Sequence, residues 1–301
     1  VTDIELIEKA LNAKKPSDLF TDNWKDEHRT FSKLIHPDLC KDSRANDAMA
    51  ILNHYKDVLE NGVPYIDEAG AFKVFEKKIV YEINDTNRKL ILKSVENYKK
   101  LKTFVDKASV NFHKYLPESM TLAKDKTTGQ YVQLIINLKD RAVPLSQQKL
   151  EQVHVNWLFS RMFEFVLWLR QMNYAHLGLN PTTVLVVPET HGIIVINFYH
   201  MTTLGKKVAT VSAKYKMWYP TNLFMNKIAT PDIDLELCKK IALYLLGDKS
   251  AAGTKLKMDK TINQEVLNFL LTKHQNEKDD YLQYRELLKK NFESKFYPLN
   301  L

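Results

Sequence analysis

Lys33–Asp42 reads KLIHPDLCKD, and it separates two stretches that both keep helical spacing. Upstream, NWKDEHRTFSKLI (Asn23–Ile35) puts Trp24, Phe31, Leu34 and Ile35 on one side of a helix, with His28 between them. Lys25, Arg29 and Lys33 stand four residues apart and share another face. Downstream, SRANDAMAILNHYKDVLENG (Ser43–Gly62) sets Ala48, Ile51, Leu52, Tyr55, Val58 and Leu59 at the 3.6-residue period and stops on Asn61-Gly62. Pro37 is enough to end the first helix. It does not account for His36, for Asp38, or for the three cations that lead up to them. A shorter helix with Ile4, Ile7 and Leu11 on one face comes first, and KKPSDLFTDN, with Pro16 and several capping residues, breaks the chain before the basic helix. The spacing predicts an antiparallel helical hairpin with His-Pro-Asp in its loop and the first helix packed across it.

The whole chain sets the bounds around this hairpin. Its 301 residues, 45% of them hydrophobic, can bury a sizeable core and suit two domains better than one. The net charge of +8 comes with acids interleaved among the bases, as in NWKDEHR and NEKDDYLQYRE, so it reads as a solubility feature more than as a nucleic-acid footprint. Cys40 and Cys238 lie far apart in unlike contexts, which gives neither a disulfide framework nor zinc spacing and suits a reducing, cytoplasmic setting. VTDIELIEKAL at the start is acidic and unlike a signal peptide. The most apolar helix, VNWLFSRMFEFVLWLRQM, carries Arg161, Glu164 and Arg170, so a core helix is expected there and no membrane span.

From Phe72 the texture changes. FKVF, KKIVYEI and RKLILKSV are short, rich in β-branched residues and separated by turn residues, so strands are expected. A helical stretch follows around KKLKTFVDKASVNFHKYL, then two strands, MTLAKD and QYVQLIINL, around a turn containing KTTG. After Gln148 the chain is mostly helical, with Leu158, Phe165, Leu169 and Met172 on one face of a long helix. TVLVVPETHGIIVINF reads as two strands around a turn, and DLELCKKIALYLLGD, INQEVLNFLLTK and DDYLQYRELLKKNFE read as further helices. The expectation is α+β in two parts, a small β-rich lobe and a large helical one.

RTFSKLIHPDLCKDSRANDAMAILNHYKDVLENG resembles a J domain, the module that activates DnaK-type chaperone ATPases, and PSDLF before it looks like the variant in certain bacterial and phage J proteins. The resemblance implies that His36, Pro37 and Asp38, with Lys25, Arg29 and Lys33, contact the chaperone. Proline fixes the loop backbone, a carboxylate there can take an arginine bidentately, and the cations steer an acidic partner. LCKD after the motif is less basic than is common in the family.

The order of elements around MNYAHLGLNPTTVLVVPETHGIIVINFYHM resembles a protein kinase. More closely, the whole chain is similar to bacterial and phage proteins in which a J domain is fused to a degenerate kinase-like domain, which share the PETHG turn and the WYP of YKMWYP. This implies an all-α J-domain hairpin at 1–62, a linker at 63–71, and a bilobal kinase-like domain at 72–301, its small lobe about 72–143 and its large lobe about 144–301. The resemblance implies that Lys93 holds the place of the phosphate-binding lysine on the third strand. His176 falls in the catalytic loop, Gly178 at the catalytic aspartate, Thr183 at the metal-holding asparagine and Asn197 at the metal-binding aspartate. No Gly-rich loop precedes Lys93, and Asp106 is the nearest acidic candidate to pair with it in the following helix. Loss of all these groups leaves no preorganised site for phosphoryl transfer.

Each residue also has a plainer reading: His176 as a core histidine bracing its loop, Lys93 as a solvated or ion-paired lysine, the aromatics of FYHM and YKMWY as packing, and Lys99, Lys100 and Lys102 as a solvated face. The function expected is that of a co-chaperone. Its J domain recruits a DnaK-type chaperone, and its pseudokinase binds an unknown protein client near a groove bordered by His176–Asn180 and Phe198–His200. No cofactor and no metal are expected, ATP binding being possible but not expected. The alternative is a divergent kinase-fold enzyme that binds nucleotide and transfers a phosphoryl or nucleotidyl group. Nucleic-acid binding is a weaker third reading, marked by steep salt dependence.

Overall fold

The structure is a computed structural model and describes residues 1–273 and 277–301. Four helices come first: α1 (Asp3–Asn12), α2 (Pro16–Leu19), α3 (Trp24–Leu34) and α4 (Ala45–Asn61). A capping box starts α1, with the Thr2 hydroxyl taking the Glu5 N–H and the Glu5 carboxylate taking the Thr2 N–H. Leu6, Ile7 and Ala10 of α1 are buried with Leu19, Phe20, Ile35, Ala48 and Leu52 in a hydrophobic cluster of their own. Trp24 and Phe31 of α3 are half-buried against it. Ile4 and Leu34 are exposed, although a simple helical face would include them. Of the two residues expected inward at the end of α3, Ile35 is fully buried and Leu34 is not.

Helix α4 ends at Gly62, whose φ of +68° is a left-handed turn that L side chains resist. A Cβ there would also stand 3.1 Å from the Phe75 ring. The next residues form no linker. Val63–Asp67 is strand β1, paired antiparallel with β2 (Gly70–Val74), so residues 63–71 are the first hairpin of a sheet. Strands β3 (Lys78–Glu82), β4 (Ser119–Lys124) and β5 (Tyr131–Asn137) complete five antiparallel strands in the order β1-β2-β3-β5-β4.

Between β3 and β4 the chain makes α5 (Arg88–Lys102) and α6 (Lys107–Phe112). RKLILKSV is therefore helix and not strand. Ile91, Ser94, Val95, Tyr98 and Leu101 are buried at helical spacing over about three turns, and this outweighs the local β-branched bias. Lys93 is exposed on the opposite side. Asp106 caps α6 through the Ala108 and Ser109 N–H groups and is not a partner of Lys93.

The remainder is mostly helical. After β6 (Val143–Pro144), α7 (Gln152–Gln171) buries Leu158, Phe165 and Leu169 as expected, and Phe159, Phe163 and Trp168 besides. Strand β7 (Tyr174–Ala175) leads into a buried loop, then β8 (Val184–Val187) and β9 (Gly192–Val195) pair around the 188–191 turn. Strand β10 (Thr202–Thr203), α8 (Thr221–Asn226), α9 (Pro231–Leu245), α10 (Gln264–Leu271) and α11 (Glu277–Asn291) follow. One hydrophobic cluster runs from Tyr65 to Leu299 and shares no residue with the N-terminal one. The architecture is α+β with antiparallel sheets. Among the described residues no helix is long and apolar enough to cross a membrane.

Candidate functional site

The loop between α3 and α4 turns on His36, whose carbonyl accepts the N–H groups of Leu39 and Cys40 at 2.8 Å each. Ile35, fully buried, anchors the loop at one end and the half-buried Pro37 stiffens it. The side chains between them point to solvent. His36 is 48% exposed and Asp38 86%, with 3.6 Å between the imidazole Nδ1 and the carboxylate. Lys25, Arg29 and Lys33 are exposed along α3. Among the described residues none of the three lies within ion-pair reach of a carboxylate, and Lys25 contacts only the Trp24 ring, at 5.4 Å. The structure thus brings all six residues onto one short segment and leaves the three cations of α3 without an acidic partner among the described residues.

His176, Gly178, Thr183 and Asn197 come together in the interior, and Lys93 does not join them. Its Nζ pairs with Glu96, one turn along α5, at 3.1 Å. The loop that holds His176 is fixed by Asp234 of α9, whose carboxylate takes the His176 and Leu177 N–H groups at 2.5 and 2.7 Å. Burial pushes Asp234 up to about 7, with those two donors pulling the other way. Burial likewise pushes His176 down to about 3, aided by His200 nearby. A buried neutral imidazole whose Nδ1 accepts the Gly178 N–H at 3.2 Å braces this loop, as the plainer reading had it. Asn180 and Thr183 close the loop on themselves. The Asn180 oxygen takes the Thr182 N–H at 2.8 Å, and the Thr183 hydroxyl donates to the Gly178 carbonyl at 3.1 Å.

The decisive partners come from the β1–β2 turn, which the sequence reading had passed over as linker. Asp67 accepts hydrogen bonds from Asn197 Nδ2 and from the Tyr81 hydroxyl, the latter at 2.8 Å. Tyr81 points inward from β3, fully buried, and also accepts from Asn197 at 3.0 Å. Burial pushes Asp67 up to about 6 against the donors that hold it down. The neighbouring Glu68 accepts His200 Nε2 at 2.6 Å, and His200 Nδ1 meets the Thr210 hydroxyl at 2.8 Å. Burial opposes ionisation of Glu68, but the donors His200, Ser212 and the Ala213 N–H together outweigh it and hold the carboxyl below its usual range. The His200 ring lies against Gly178 so closely that a Cβ there would fall 2.8 Å from its Cδ2. From the other side, Ser94 Oγ accepts the Phe198 N–H at 2.9 Å and Asn97 donates to the Phe198 carbonyl at 2.8 Å, so α5 is stitched to the same segment.

Residues 175–188 and 193–201 are consequently buried, and the groove expected between His176–Asn180 and Phe198–His200 is closed. No partner can dock there without unlocking the Asp67–Asn197 and Glu68–His200 contacts. The period-2 spacing of Ile79, Tyr81 and Ile83 is a sequence signal that marks Tyr81 as inward, and all three are buried. Comparison with known protein families and with curated proteins finds no match for this chain.

Proposed function

We propose that the chain is a co-chaperone. Residues 1–62 act as a J domain that engages a DnaK-type chaperone and stimulates its ATPase, and the kinase-like remainder brings a protein partner to it without transferring phosphate. The observation that carries this reading is the exposed His36-Pro37-Asp38 loop at the end of a helix whose Lys25, Arg29 and Lys33 have no acidic partner among the described residues. Exposed cations without an acidic partner are available to an acidic surface, and they act on encounter rate and register.

The kinase-like half is supported by the order of its elements: an antiparallel sheet interrupted by a helix after its third strand, then a long buried helix, a histidine-bearing loop and the β8–β9 pair before Asn197. In that reading Tyr81 of β3, and not Lys93, takes the place of the phosphate-binding lysine. The β1–β2 turn, which would cover the phosphates, presents two carboxylates instead of backbone donors, and these oppose a triphosphate. Both acids are already engaged by Asn197 and His200.

The test is single-turnover ATP hydrolysis by a purified bacterial DnaK-type chaperone with the full chain added. Stimulation is expected, and His36→Gln or Asp38→Asn removes it without altering the fold. Charge reversal at Lys25, Arg29 and Lys33 weakens it, most at low salt. Full stimulation by the Asp38→Asn protein refutes the assignment.

A further inference from the structure

Acids and bases alternate through most of this sequence, but from Thr190 to Pro231 there are five lysines and no Asp or Glu. All five, Lys206, Lys207, Lys214, Lys216 and Lys227, are exposed, and among the described residues none has a carboxylate within ion-pair reach. Three of them frame one hollow. Lys207 and Lys227 line a cavity of about 440 Å³ floored by Val208, Val211 and Leu223 and walled by Phe224. Lys216 lies over the Phe224 ring at 5.6 Å. The rim is apolar as well as basic, for Met217 is 91% exposed, Met225 is 78% exposed and Ile228 is exposed beside its bridge to Lys207. The apolar part of this surface is the kind of exposed patch that marks a docking site, and methionines at its edge adapt to varied side chains.

We infer that this surface, built from the 206–228 segment, docks an acidic segment of a partner protein that inserts an apolar side chain between Lys207 and Lys227. The alternatives fit less well. Single-stranded nucleic acid is held by stacking on a row of exposed aromatic faces, and here Tyr215, Trp218 and Tyr219 are buried, which leaves Phe224, 38% exposed and already under Lys216, as the single exposed aromatic of the 206–228 segment. Phosphate recognition also favours the guanidinium fork, and the 190–231 stretch has no arginine. An anionic lipid surface presents headgroups to the lysines but no side chain to enter the apolar hollow between them. Lysine ammonium groups at separate points around an apolar socket match carboxylates spaced along a peptide, with one hydrophobic anchor. This deepens the adapter half of the proposed function and rests on it only for what the partner is for. It replaces the closed groove with an open docking surface.

The test is fluorescence anisotropy with the full chain and a labelled pool of short peptides, rich in Asp and Glu with one Leu, Met or Phe each. Its controls are the same peptides with the apolar residue changed to Ser, a single-stranded DNA oligonucleotide, and phosphatidylserine vesicles. The pool should bind, and the triple variant Lys207→Glu, Lys216→Glu, Lys227→Glu should lose at least tenfold in affinity. Met217→Ser, at a fully solvated position, should lose less, and the Ser-substituted peptides should bind weakly to the wild type. Circular dichroism melts of the variants should match the wild type, since the altered side chains are exposed. Absence of binding by the whole pool overturns the inference. So does equal binding by the charge-reversed chain, or tighter binding of DNA or vesicles than of any peptide. These results are independent of ATPase stimulation, so the J-domain reading and the docking surface can fail separately.

Discussion

Gly178→Ala tests whether the interior lock is real. The added Cβ would stand 2.8 Å from His200 Cδ2 and 3.5 Å from its Cβ and Cγ. The ring must withdraw by roughly half an ångström or more to reach ordinary contact, and buried rings have little room to do so. It is pinned on both edges, by Thr210 at 2.8 Å and by the Glu68 carboxylate at 2.6 Å. Losing the neutral bond costs about 1 kcal/mol and losing the one to the carboxylate about 1.5–3 kcal/mol, so the substitution should destabilise by about 2–4 kcal/mol. Urea denaturation of four proteins measures this: wild type, Gly178→Ala, His200→Ala and the double variant. Once the ring is gone, the alanine should cost less than about 0.5 kcal/mol, which gives a coupling of about 2 kcal/mol or more. An equal cost of Gly178→Ala in both backgrounds refutes the reasoning, because the penalty would then come from the backbone and not from His200. Gly178→Asp follows the same logic and should destabilise at least as much, because its larger side chain meets the same His200 ring.

Lys93→Ala should leave the urea midpoint within error of wild type, since Lys93 is exposed and its pair with Glu96 is a surface one; a clear loss would mean that the lysine reaches the interior. Tyr81→Phe removes a donor to Asp67 and an acceptor of Asn197 at a fully buried position, and should destabilise by about 1–3 kcal/mol by denaturation; unchanged stability refutes the lock. Asp67 adds a pH signature. Its folded pKa of about 6 lies above the unfolded value, so the folded state takes up the proton first. The resulting stabilisation is fully present below about pH 4 and is lost as pH rises through 6. Wild type measured against Asp67→Asn should therefore gain on the order of 3 kcal/mol between pH 7 and pH 4, and a difference of opposite sign overturns that assignment. Subtracting the variant removes the opposing contribution of His176, whose lowered pKa makes acid destabilising.

The N-terminal helices, the His36-Pro37-Asp38 loop and the spacing of Lys25, Arg29 and Lys33 were legible in the sequence because they depend on residues a few positions apart. Helical period, a proline and a terminal Asn-Gly are local signals, and exposure of a short polar loop follows from them. The β4–β5 and β8–β9 pairs were legible for the same reason, since each is two short apolar runs around a turn. Lys93 was misplaced although its signal was local too. LILK looks like strand over four residues, whereas Ile91, Val95, Tyr98 and Leu101 declare a helix only over a longer window. The closed interior lay beyond any such reading. Asp67 meets Asn197, and Glu68 meets His200, across about 130 residues of chain. A hydrogen bond between distant residues imposes no period on either stretch, so DEAG read as a linker turn and INFYH as a degenerate motif. Only the tertiary structure decided that the acids of the one fill the space beside the other, because burial removes the water that would otherwise satisfy them and leaves each the other's partner.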